Sequence, residues 1–465
     1  MENGLNERPN ESTNGINITN GINITNTTNG INTTNGINTT NGINTTNITN
    51  TTNTTTTIIN SINGIDNHSY YMRLAMEEAQ RGKITAPPNP YVGSILVKNG
   101  EIIGKGYHRK CGCPHAEINA INSVTDKDDL NCAENSALQN ILKDSIMYVT
   151  LEPCCYFPGK RTPSCAEAIV KNKIKQVVIG MKDPNPNVTN RGIDILKLPS
   201  KEENNIEVIL LEDINDKLYK DLCFDLRQYI YYKKYNLPYV TVKIALTVNN
   251  CYAYENNIKN EKQWITHEES RKRGHLLRAH CQAIIIGAKT LVTDNPDLSV
   301  RYGYECNDNY KRVIIDGNSI QHINYNLFND PNTIIFIPID NWCKRESFYR
   351  QYHPKKFNLY SFKNMRDILC QLNVMHVLIE GGGRIQESFF KENLVNEVVI
   401  FKSSDTTETV SEDRSYYLRL QSSNHLIGGS YWTNLQYLQD YQLINEETIM
   451  YNEERNIMQT YLKII

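Results

Sequence analysis

The sequence predicts a two-domain α/β protein preceded by a disordered tail, and three observations lead to that prediction. Between residues 70 and 180, strand-like segments alternate with segments of helical periodicity, which is typical of α/β domains. A second alternation of the same kind starts at Pro238. The first 65 residues are almost all Asn, Thr, Gly and Ile, and such a tract buries too little apolar surface to fold.

These composition changes define the expected organisation of the chain. We expect a low-complexity, disordered tail over residues 1–66 and a first domain over 67–190. Residues 191–237 are more polar and end in a Tyr/Lys-rich stretch, so we interpret them as a connection. The second domain then covers 238–465, and each domain is long enough to bury a core of its own.

The first domain should begin with an amphipathic helix over 70–81, because its apolar residues share one helical face. A strand over 91–97 follows. Asn99-Gly100 is a two-residue hairpin signal, after which 101–107 returns as the second strand. The later elements are predicted as helices over 115–123 and 165–172 and strands over 145–151 and 176–180.

The second domain should hold a mainly parallel sheet, because helical segments lie between several of its apolar runs. A long helix is expected over 267–281. The strands are predicted at 239–246, 283–287, 312–316, 333–338 and 376–380.

The charge balance makes some classes of partner improbable. Lys and Arg total 49 against 51 Asp and Glu, and no basic block would follow a nucleic-acid backbone. We find no apolar run that could span a bilayer and no signal-peptide pattern, so we expect a cytoplasmic protein without a membrane partner. Its 12 cysteines should be reduced thiols or metal ligands. Association into a homo-oligomer stays open.

The strongest chemical signal is His115-Ala116-Glu117 followed by Pro153-Cys154 and Cys165. Hydrolytic deamination at zinc needs three protein ligands and one position left for water. His115, Cys154 and Cys165 supply the three ligands, and Glu117 can carry the proton from that water to the departing amine. We expect Cys155 and the Cys111-Gly-Cys113 pair to be thiols outside this set.

Residues 70–230 resemble the deaminase domain of the bifunctional riboflavin-biosynthesis deaminase–reductase family. That resemblance implies a cytidine-deaminase-like three-layer α/β/α fold and a phosphorylated pyrimidine as substrate, held by Asn89, His108 and Arg161. The two cysteines are eleven residues apart here, whereas the family has nine. The matching motifs are Pro88–Gly93, Gly106–His108, Pro114–Glu117, Leu151–Cys154, Gly159–Pro163 and Asp183–Pro186.

Residues 238–400 are similar to the reductase domain of the same family, which implies a dihydrofolate-reductase-like α/β fold and NADPH as cofactor. The matching segments are Gln263–Thr266, Leu276–Ala279, Gly287–Thr290, Asp294–Leu298 and Glu380–Gly383. The resemblance implies two sets of residues. The cofactor set is Trp264, Thr266, Gly287, Thr290, Asp294, Gly381 and Gly382. The substrate set is Arg278, Leu298, Arg301 and Glu380.

The second domain also departs from the family pattern. Thr247–Cys251 replaces the Ser-Leu-Asp-Gly-Lys that follows the first reductase strand, and polar Lys402–Asp405 replaces an Ala-Pro and Gly-Gly turn. Three hypotheses follow. The chain deaminates a diaminopyrimidine phosphate and then reduces its ribosyl chain, or it only deaminates and the second domain is a scaffold. The third, an RNA or nucleoside deaminase, is opposed by the missing basic surface.

Overall fold

The computed structural model describes most of the chain after residue 66. The described residues are 67–124, 136–160, 162–198, 206–246, 250, 264–352, 358–404, 433–451 and 454–464. The predicted disordered tail, residues 1–66, therefore lies outside them, as do Arg161, Asn249 and Cys251. The two sheets described below belong to one compact unit.

The first sheet has five strands in the order β2-β1-β3-β4-β5. β1 pairs antiparallel with β2 and β3, whereas β3, β4 and β5 are parallel to one another. The strands are β1 (Gly93–Lys98), β2 (Glu101–Tyr107), β3 (Ile146–Val149), β4 (Gln176–Ile179) and β5 (Glu207–Leu210). The helices are α1 (67–80), α2 (Ala116–Asn122), α3 (Ser136–Leu142), α4 (Cys165–Lys171), α5 (Arg191–Lys197), α6 (Leu211–Ile214), α7 (Asp216–Asp225) and α8 (Arg227–Tyr235).

Helices cover both faces of this sheet, as two glycines show. A Cβ on Gly93 would lie 1.9 Å from the Ala75 carbonyl oxygen of α1. A Cβ on Gly106 would lie 2.3 Å from the Ala120 nitrogen of α2. Gly106 is opposite Ser94, the neighbour of Gly93, so the two glycines face opposite sides of the sheet. The three-layer α/β/α prediction is thus confirmed.

The local predictions for this domain hold closely. The hairpin turns at Asn99 and Gly100, whose φ angles are 53° and 83°, and β2 has the predicted bounds. His115 and Ser123 cap α2 at its two ends, so this helix also lies where the sequence placed it. Helix α1 begins three residues earlier than predicted, at residue 67.

The segment 191–237, interpreted as a connection, has more structure than expected. It contains β5 and helices α5 to α8, and β5 extends the first sheet beside β4. Leu218, Leu222 and Leu226 lie in the same hydrophobic cluster as the core of the first domain. The polar face of α7 and α8 concealed this role in the sequence, because their apolar residues are spaced along only one side.

The second sheet has nine strands in the order β10-β9-β8-β7-β11-β6-β12-β14-β13. The seven strands from β10 to β12 in that order are parallel to one another, whereas β14 pairs antiparallel with both β12 and β13. The strands are β6 (Tyr239–Leu246), β7 (Ala283–Gly287), β8 (Lys311–Ile315), β9 (Thr333–Pro338), β10 (Asn358–Phe362), β11 (His376–Ile379), β12 (Glu397–Ser404), β13 (Tyr441–Tyr451) and β14 (Glu454–Lys463). The helices are α9 (Glu268–Ala279), α10 (Ala288–Asp294), α11 (Trp342–Tyr352), α12 (Met365–Leu372) and α13 (Gly383–Lys391).

Both faces of the second sheet are buried. Ala283 and Ile285 of β7 belong to one hydrophobic cluster, whereas Ile284 and Ile286 belong to another on the opposite face. Together with the parallel strand pairing, this burial confirms the prediction of a mainly parallel sheet. The last 60 residues, unassigned in the sequence, supply β13 and β14, and the polar segment Lys402–Ser404 continues β12 beside β14. No described helix is long and apolar enough to cross a membrane.

A partly buried ion pair joins helix α8 to strand β12 of the second sheet. Arg227, the first residue of α8, donates from Nη2 to Glu397 Oε2 at 3.0 Å and from Nε at 3.3 Å. The Glu397 side chain is only 5% exposed and stands at the start of β12. Removing the carboxylate would leave Arg227 without its charge partner in a poorly hydrated place.

We expect Glu397→Gln to lower the free energy of unfolding by about 2 kcal/mol, less than for a fully buried pair because Arg227 keeps some contact with water. Chemical denaturation measures this change. The matched control is Glu387→Gln, which breaks an exposed pair with Lys391 within α13 and should cost about 0.5 kcal/mol or less. Equal losses in the two variants would contradict the inference.

Candidate metal centre and reductase cleft

The three predicted ligands come together from separate segments. His115 Nδ1 lies 3.3 Å from Cys154 Sγ and 3.5 Å from Cys165 Sγ. All three ligand atoms lie within 4.8 Å of one another, and they form the one His/Cys/Asp/Glu cluster of this kind among the described residues. One imidazole nitrogen and two sulfurs at such separations suit a tetrahedral zinc ion with a fourth position for water.

Two of these ligands lie at the N-termini of helices. His115 is the N-cap residue of α2 and Cys165 is the first residue of α4. Ser164 caps α4 by accepting a hydrogen bond from the Glu167 amide, and its hydroxyl also donates to the Cys154 carbonyl at 3.2 Å. Ser164 therefore ties the two cysteine segments together. Ser164 was not predicted from the sequence, although Ser-x-x-Glu is a recognisable helix-start signal.

Thr162 orients the histidine ring. Its Oγ1 lies 3.2 Å from His115 Nε2, the nitrogen that points away from the sulfurs. A hydrogen bond from Nε2–H to this hydroxyl leaves the Nδ1 lone pair free to bind a metal. The matched family motif contained Thr162, but nothing in the sequence alone assigned it this role.

The electrostatics suit a metal-binding thiolate beside a buried acid. The hydrogen bond donated by Cys165, with help from His115, holds the pKa of Cys154 well below its usual range. Glu117 is 3% exposed and does not belong to the ligand cluster. Burial, and then the negative charge of Cys154, raise the pKa of Glu117 to about 7.

A cavity of about 290 Å³ opens onto this centre. Two of the three predicted substrate residues line it, Asn89 and His108, and Asn89 Nδ2 lies 3.1 Å from His108 Nε2. Arg161, the third, lies outside the described residues, but its neighbours Lys160 and Thr162 line the cavity. The cavity thus combines apolar walls with amide, imidazole and ammonium groups.

Glu152 lines the cavity and holds together the backbone segments behind it. Its carboxylate accepts hydrogen bonds from the backbone amides of Asp183 and Asn190 and from those of Gly192 and Ile193, which begin α5. Glu152 lies in the matched motif Leu151–Cys154, but no role was predicted for it from the sequence. The structure shows a buried acceptor for otherwise unpaired amides.

Cys155 is not part of the metal centre. Its thiol lies 3.5 Å from the Asn187 carbonyl oxygen and is absent from the ligand cluster. Cys111 and Cys113 are also outside that cluster and are at least partly exposed. These positions agree with the expectation that all three are bystander thiols.

In the second domain, four predicted cofactor residues meet at the carboxyl ends of β7 and β11. Gly287 caps α10, and Thr290 Oγ1 accepts a hydrogen bond from the Gly382 amide at 3.3 Å. Gly381 has φ +96°, and a Cβ there would lie 2.6 Å from Thr290 Oγ1. A glycine loop at the start of α13 lets a phosphate approach the backbone and the helix N-terminus closely, so it fits a dinucleotide cofactor.

The other three predicted cofactor residues are Trp264, Thr266 and Asp294, which lie before α9 and at the end of α10. Asp294 is the last residue of α10, about 9 Å along the helix axis from its first residue, Ala288. Trp264 is exposed, and the Arg271 guanidinium lies over its ring at 4.5 Å. Arg271 also donates to the Thr266 carbonyl. The cofactor roles of Trp264, Thr266 and Asp294 stay predictions.

Two predicted substrate residues bind each other. Arg278 donates to both carboxylate oxygens of Glu380, at 2.9 and 2.8 Å, and to the Ser299 carbonyl at 3.1 Å. Burial acts to raise the pKa of Glu380, but Arg278 and then Lys243 outweigh it and lower that pKa to about 2. Neither this pairing nor the nearby Lys243 of β6 was predicted from the sequence.

The remaining substrate residues lie on the loop after α10. Leu298 is buried with φ +50°, and Arg301 is an exposed residue that pairs with Asp297 at 2.8 Å. The Arg301 amide donates to His275 Nδ1 of α9 at 3.1 Å. This contact and the Arg278–Ser299 bond fix the loop beside α9, which brings it to the same end of the sheet as Glu380.

Comparison with known proteins agrees with both sites. Residues 65–181 match the cytidine and deoxycytidylate deaminase zinc-binding region, and residues 238–404 match the RibD C-terminal domain. The chain is 33% identical to the riboflavin biosynthesis protein RibD of Aquifex aeolicus over 71% of its own length and 85% of that protein's. The Escherichia coli protein of the same name is 28% identical, over 71% of this chain and 86% of that protein.

Two solved structures share the arrangement of both domains. Acinetobacter baumannii RibD aligns with a TM-score of 0.66 and 25% identity, over 86% of this chain and all of that one. The deaminase–reductase of Thermotoga maritima aligns with a TM-score of 0.63 and 26% identity over the same shares. The chain therefore belongs to the RibD family of riboflavin-biosynthesis enzymes, which join a zinc-binding deaminase domain to an NADPH-dependent reductase domain.

The geometry distinguishes ligand cysteines from bystanders. We expect Cys165→Ser to lose most of its bound zinc, because a hydroxyl is a poor replacement for a thiolate ligand. Cys155→Ser is the matched control, one residue from a ligand, and should keep about one zinc per chain. Elemental analysis of the purified variants measures the metal. Zinc loss in Cys155→Ser with retention in Cys165→Ser would reverse the assignment.

Proposed function

We propose that the first domain deaminates 2,5-diamino-6-ribosylamino-4(3H)-pyrimidinone 5′-phosphate, with His115, Cys154 and Cys165 as zinc ligands and Glu117 as the catalytic acid–base. The observation that carries this proposal is the convergence of the three ligand atoms beside a buried carboxylate in one cavity. Membership of the RibD family supports the pathway and the phosphorylated pyrimidine class of substrate.

Glu117 would transfer the protons of the reaction. Zinc, when bound, supplies a Lewis acid that lowers the pKa of a water molecule. Glu117 would accept a proton from the water whose oxygen bonds to the amino-bearing ring carbon. It would then donate a proton to the amine as the carbon–nitrogen bond breaks, and the amine would leave as ammonia. The buried position of Glu117 keeps bulk water from competing for the proton.

The cavity walls would hold the substrate. The Asn89 carboxamide can donate to and accept from the pyrimidine edge, and its contact with His108 keeps it oriented. Lys160 lines the cavity and Arg161 adjoins it in sequence, so these two cations are our candidates for the ribose phosphate.

We propose that the second domain reduces the ribosyl chain of the deaminated product to ribityl with hydride from NADPH. The glycine loop held by Thr290 would carry the cofactor phosphate, and Lys243, Arg278 and Arg301 would surround the substrate. The scaffold alternative depends on the altered segment Thr247–Cys251, of which only Asn250 is described. Asn250 has φ +62°, a conformation that suits the family's glycine at this position.

We propose a small-molecule substrate and a cytoplasmic location. The absence of a basic stripe from the sequence supports a small molecule over RNA. None of the ten described cysteines forms a disulfide, which suits a reducing compartment.

Feeding each pyrimidine intermediate to the purified chain tests both proposals. With the diamino compound and NADPH, we expect ammonia release followed by NADPH oxidation, one for one. Ammonia release without NADPH oxidation would support the scaffold alternative. Activity on RNA or nucleosides with none on the diamino compound would contradict the proposed substrate.

We expect Glu117→Gln to keep zinc but to lower the turnover number for ammonia release by about 10² to 10⁴, because an amide cannot accept the proton. Stopped assays for ammonia measure the loss, and Asn122→Asp at the exposed end of the same helix is the control. Near wild-type turnover in the zinc-loaded Gln variant would remove Glu117 from the mechanism.

We expect Gly381→Ala to weaken NADPH binding about tenfold or more, because its φ of +96° and the 2.6 Å approach to Thr290 force the loop to move. Ammonia release should not change. Gly317→Ala is the control, since its Cβ would meet nothing within 4 Å. Cofactor titration by fluorescence gives the dissociation constants, and equal affinities in the two variants would place the cofactor elsewhere.

A further inference from the structure

A short segment of the second domain lies against the loops that form the deaminase cavity. It is the stretch 305–309, between α10 and β8. Asn307 donates from Nδ2 to the carbonyl oxygens of Ile84 at 3.4 Å and Pro87 at 3.3 Å. One carboxamide of the reductase domain thus binds two backbone acceptors of the deaminase domain.

The orientation of this carboxamide is fixed within its own segment. Asn307 Oδ1 accepts from the Asn309 amide at 3.0 Å, and the Asn307 carbonyl accepts from the Tyr310 amide at 3.0 Å. The residue is only 8% exposed, so water competes little for these bonds. The amide oxygen is used locally, and the amide nitrogen points to the other domain.

The loop that Asn307 holds leads directly into the cavity. Pro87 precedes Pro88, Asn89 and Pro90, all of which line the cavity. The Asn89 amide donates to the Ala86 carbonyl, and its side chain reaches His108. A displacement of the Ile84 and Pro87 carbonyls would therefore move Asn89 relative to the metal centre.

A second contact joins the stretch 305–309 to the segment between β2 and α2, which contains His108. Asp308 pairs with Lys110, two residues after His108, but both side chains are more than half exposed. Water and salt weaken such a pair, so it should contribute little. The exposed Asp308–Lys110 pair can therefore be compared with the buried contact of the adjacent residue, Asn307.

We propose that Asn307 is a positioning residue for the deaminase, through which the reductase domain sets the place of Asn89 in the pyrimidine cavity. The inference rests on the proposed function, because it takes Asn89 to be a substrate contact. Asn307 itself touches no substrate. Its effect should appear in substrate binding and not in the chemical step or the metal content.

The test is Asn307→Asp in the full chain. Aspartate keeps the size and the local acceptor but replaces the two N–H donors by an oxygen that faces two carbonyl oxygens. We expect the KM for the diamino substrate to rise about tenfold, which is about 1.4 kcal/mol. We expect kcat to stay within about twofold, with zinc content and the kinetics of NADPH oxidation on the deaminated substrate unchanged.

Two further variants keep the test decisive. Asn307→Ala removes the donors without adding repulsion and should raise the KM by a smaller factor, whereas Asp308→Ala should stay within about twofold of the wild type. Hydrogen exchange provides a readout independent of activity. The amides of Ala86 and Asn89 should lose protection in Asn307→Asp, while those of β1 and β3 keep theirs.

The possible failures are distinguishable. If the wild-type chain releases ammonia and both Asn307 variants keep its KM, the positioning role is refuted and the proposed function stands. A loss confined to kcat or zinc would also refute it. If the zinc-loaded wild-type chain releases no ammonia, the proposed function itself fails.

Discussion

Two thiolates and one imidazole must reach a single point, and the first domain is arranged around that constraint. Cys165 opens α4 and His115 caps α2, so these two ligands stand at helix starts, whereas Cys154 lies in the loop that follows β3. Ser164 bonds the two cysteine segments to each other. These backbone contacts hold the ligand segments together, which reduces the ordering cost of binding a metal.

Burial around this centre serves the chemistry as well as the fold. Hydrogen bonds to Cys165 and His115 hold the pKa of Cys154 well below its usual range, and Glu117 is buried away from bulk water. In the second domain, the Arg278–Glu380 pair has a comparable role, since it fixes charge at the carboxyl ends of parallel strands beside the glycine loop. Asn307 connects the two halves by bonding from one domain to the cavity loop of the other.

The sequence predicted those features whose signals are local. The Asn99-Gly100 hairpin, the bounds of β2 and the three zinc ligands all depend on neighbouring residues or fixed spacings. It missed features that arise from distant pairing. Arg278 and Glu380 are 102 residues apart, and nothing in either neighbourhood indicates that they neutralise each other. The strands β13 and β14 were also missed, since their polar edges resemble loops until β12 pairs with them.

X-ray absorption at the zinc edge of the full chain tests the central claim most directly, because it reports the atoms that surround the metal. The account predicts two sulfurs at about 2.3 Å and two lighter atoms at about 2.0 Å, which correspond to Cys154, Cys165, His115 and one water. A shell of three or four sulfurs would bring Cys155 or Cys113 into the site. A shell without sulfur would place the metal elsewhere, and either result would contradict the assignment.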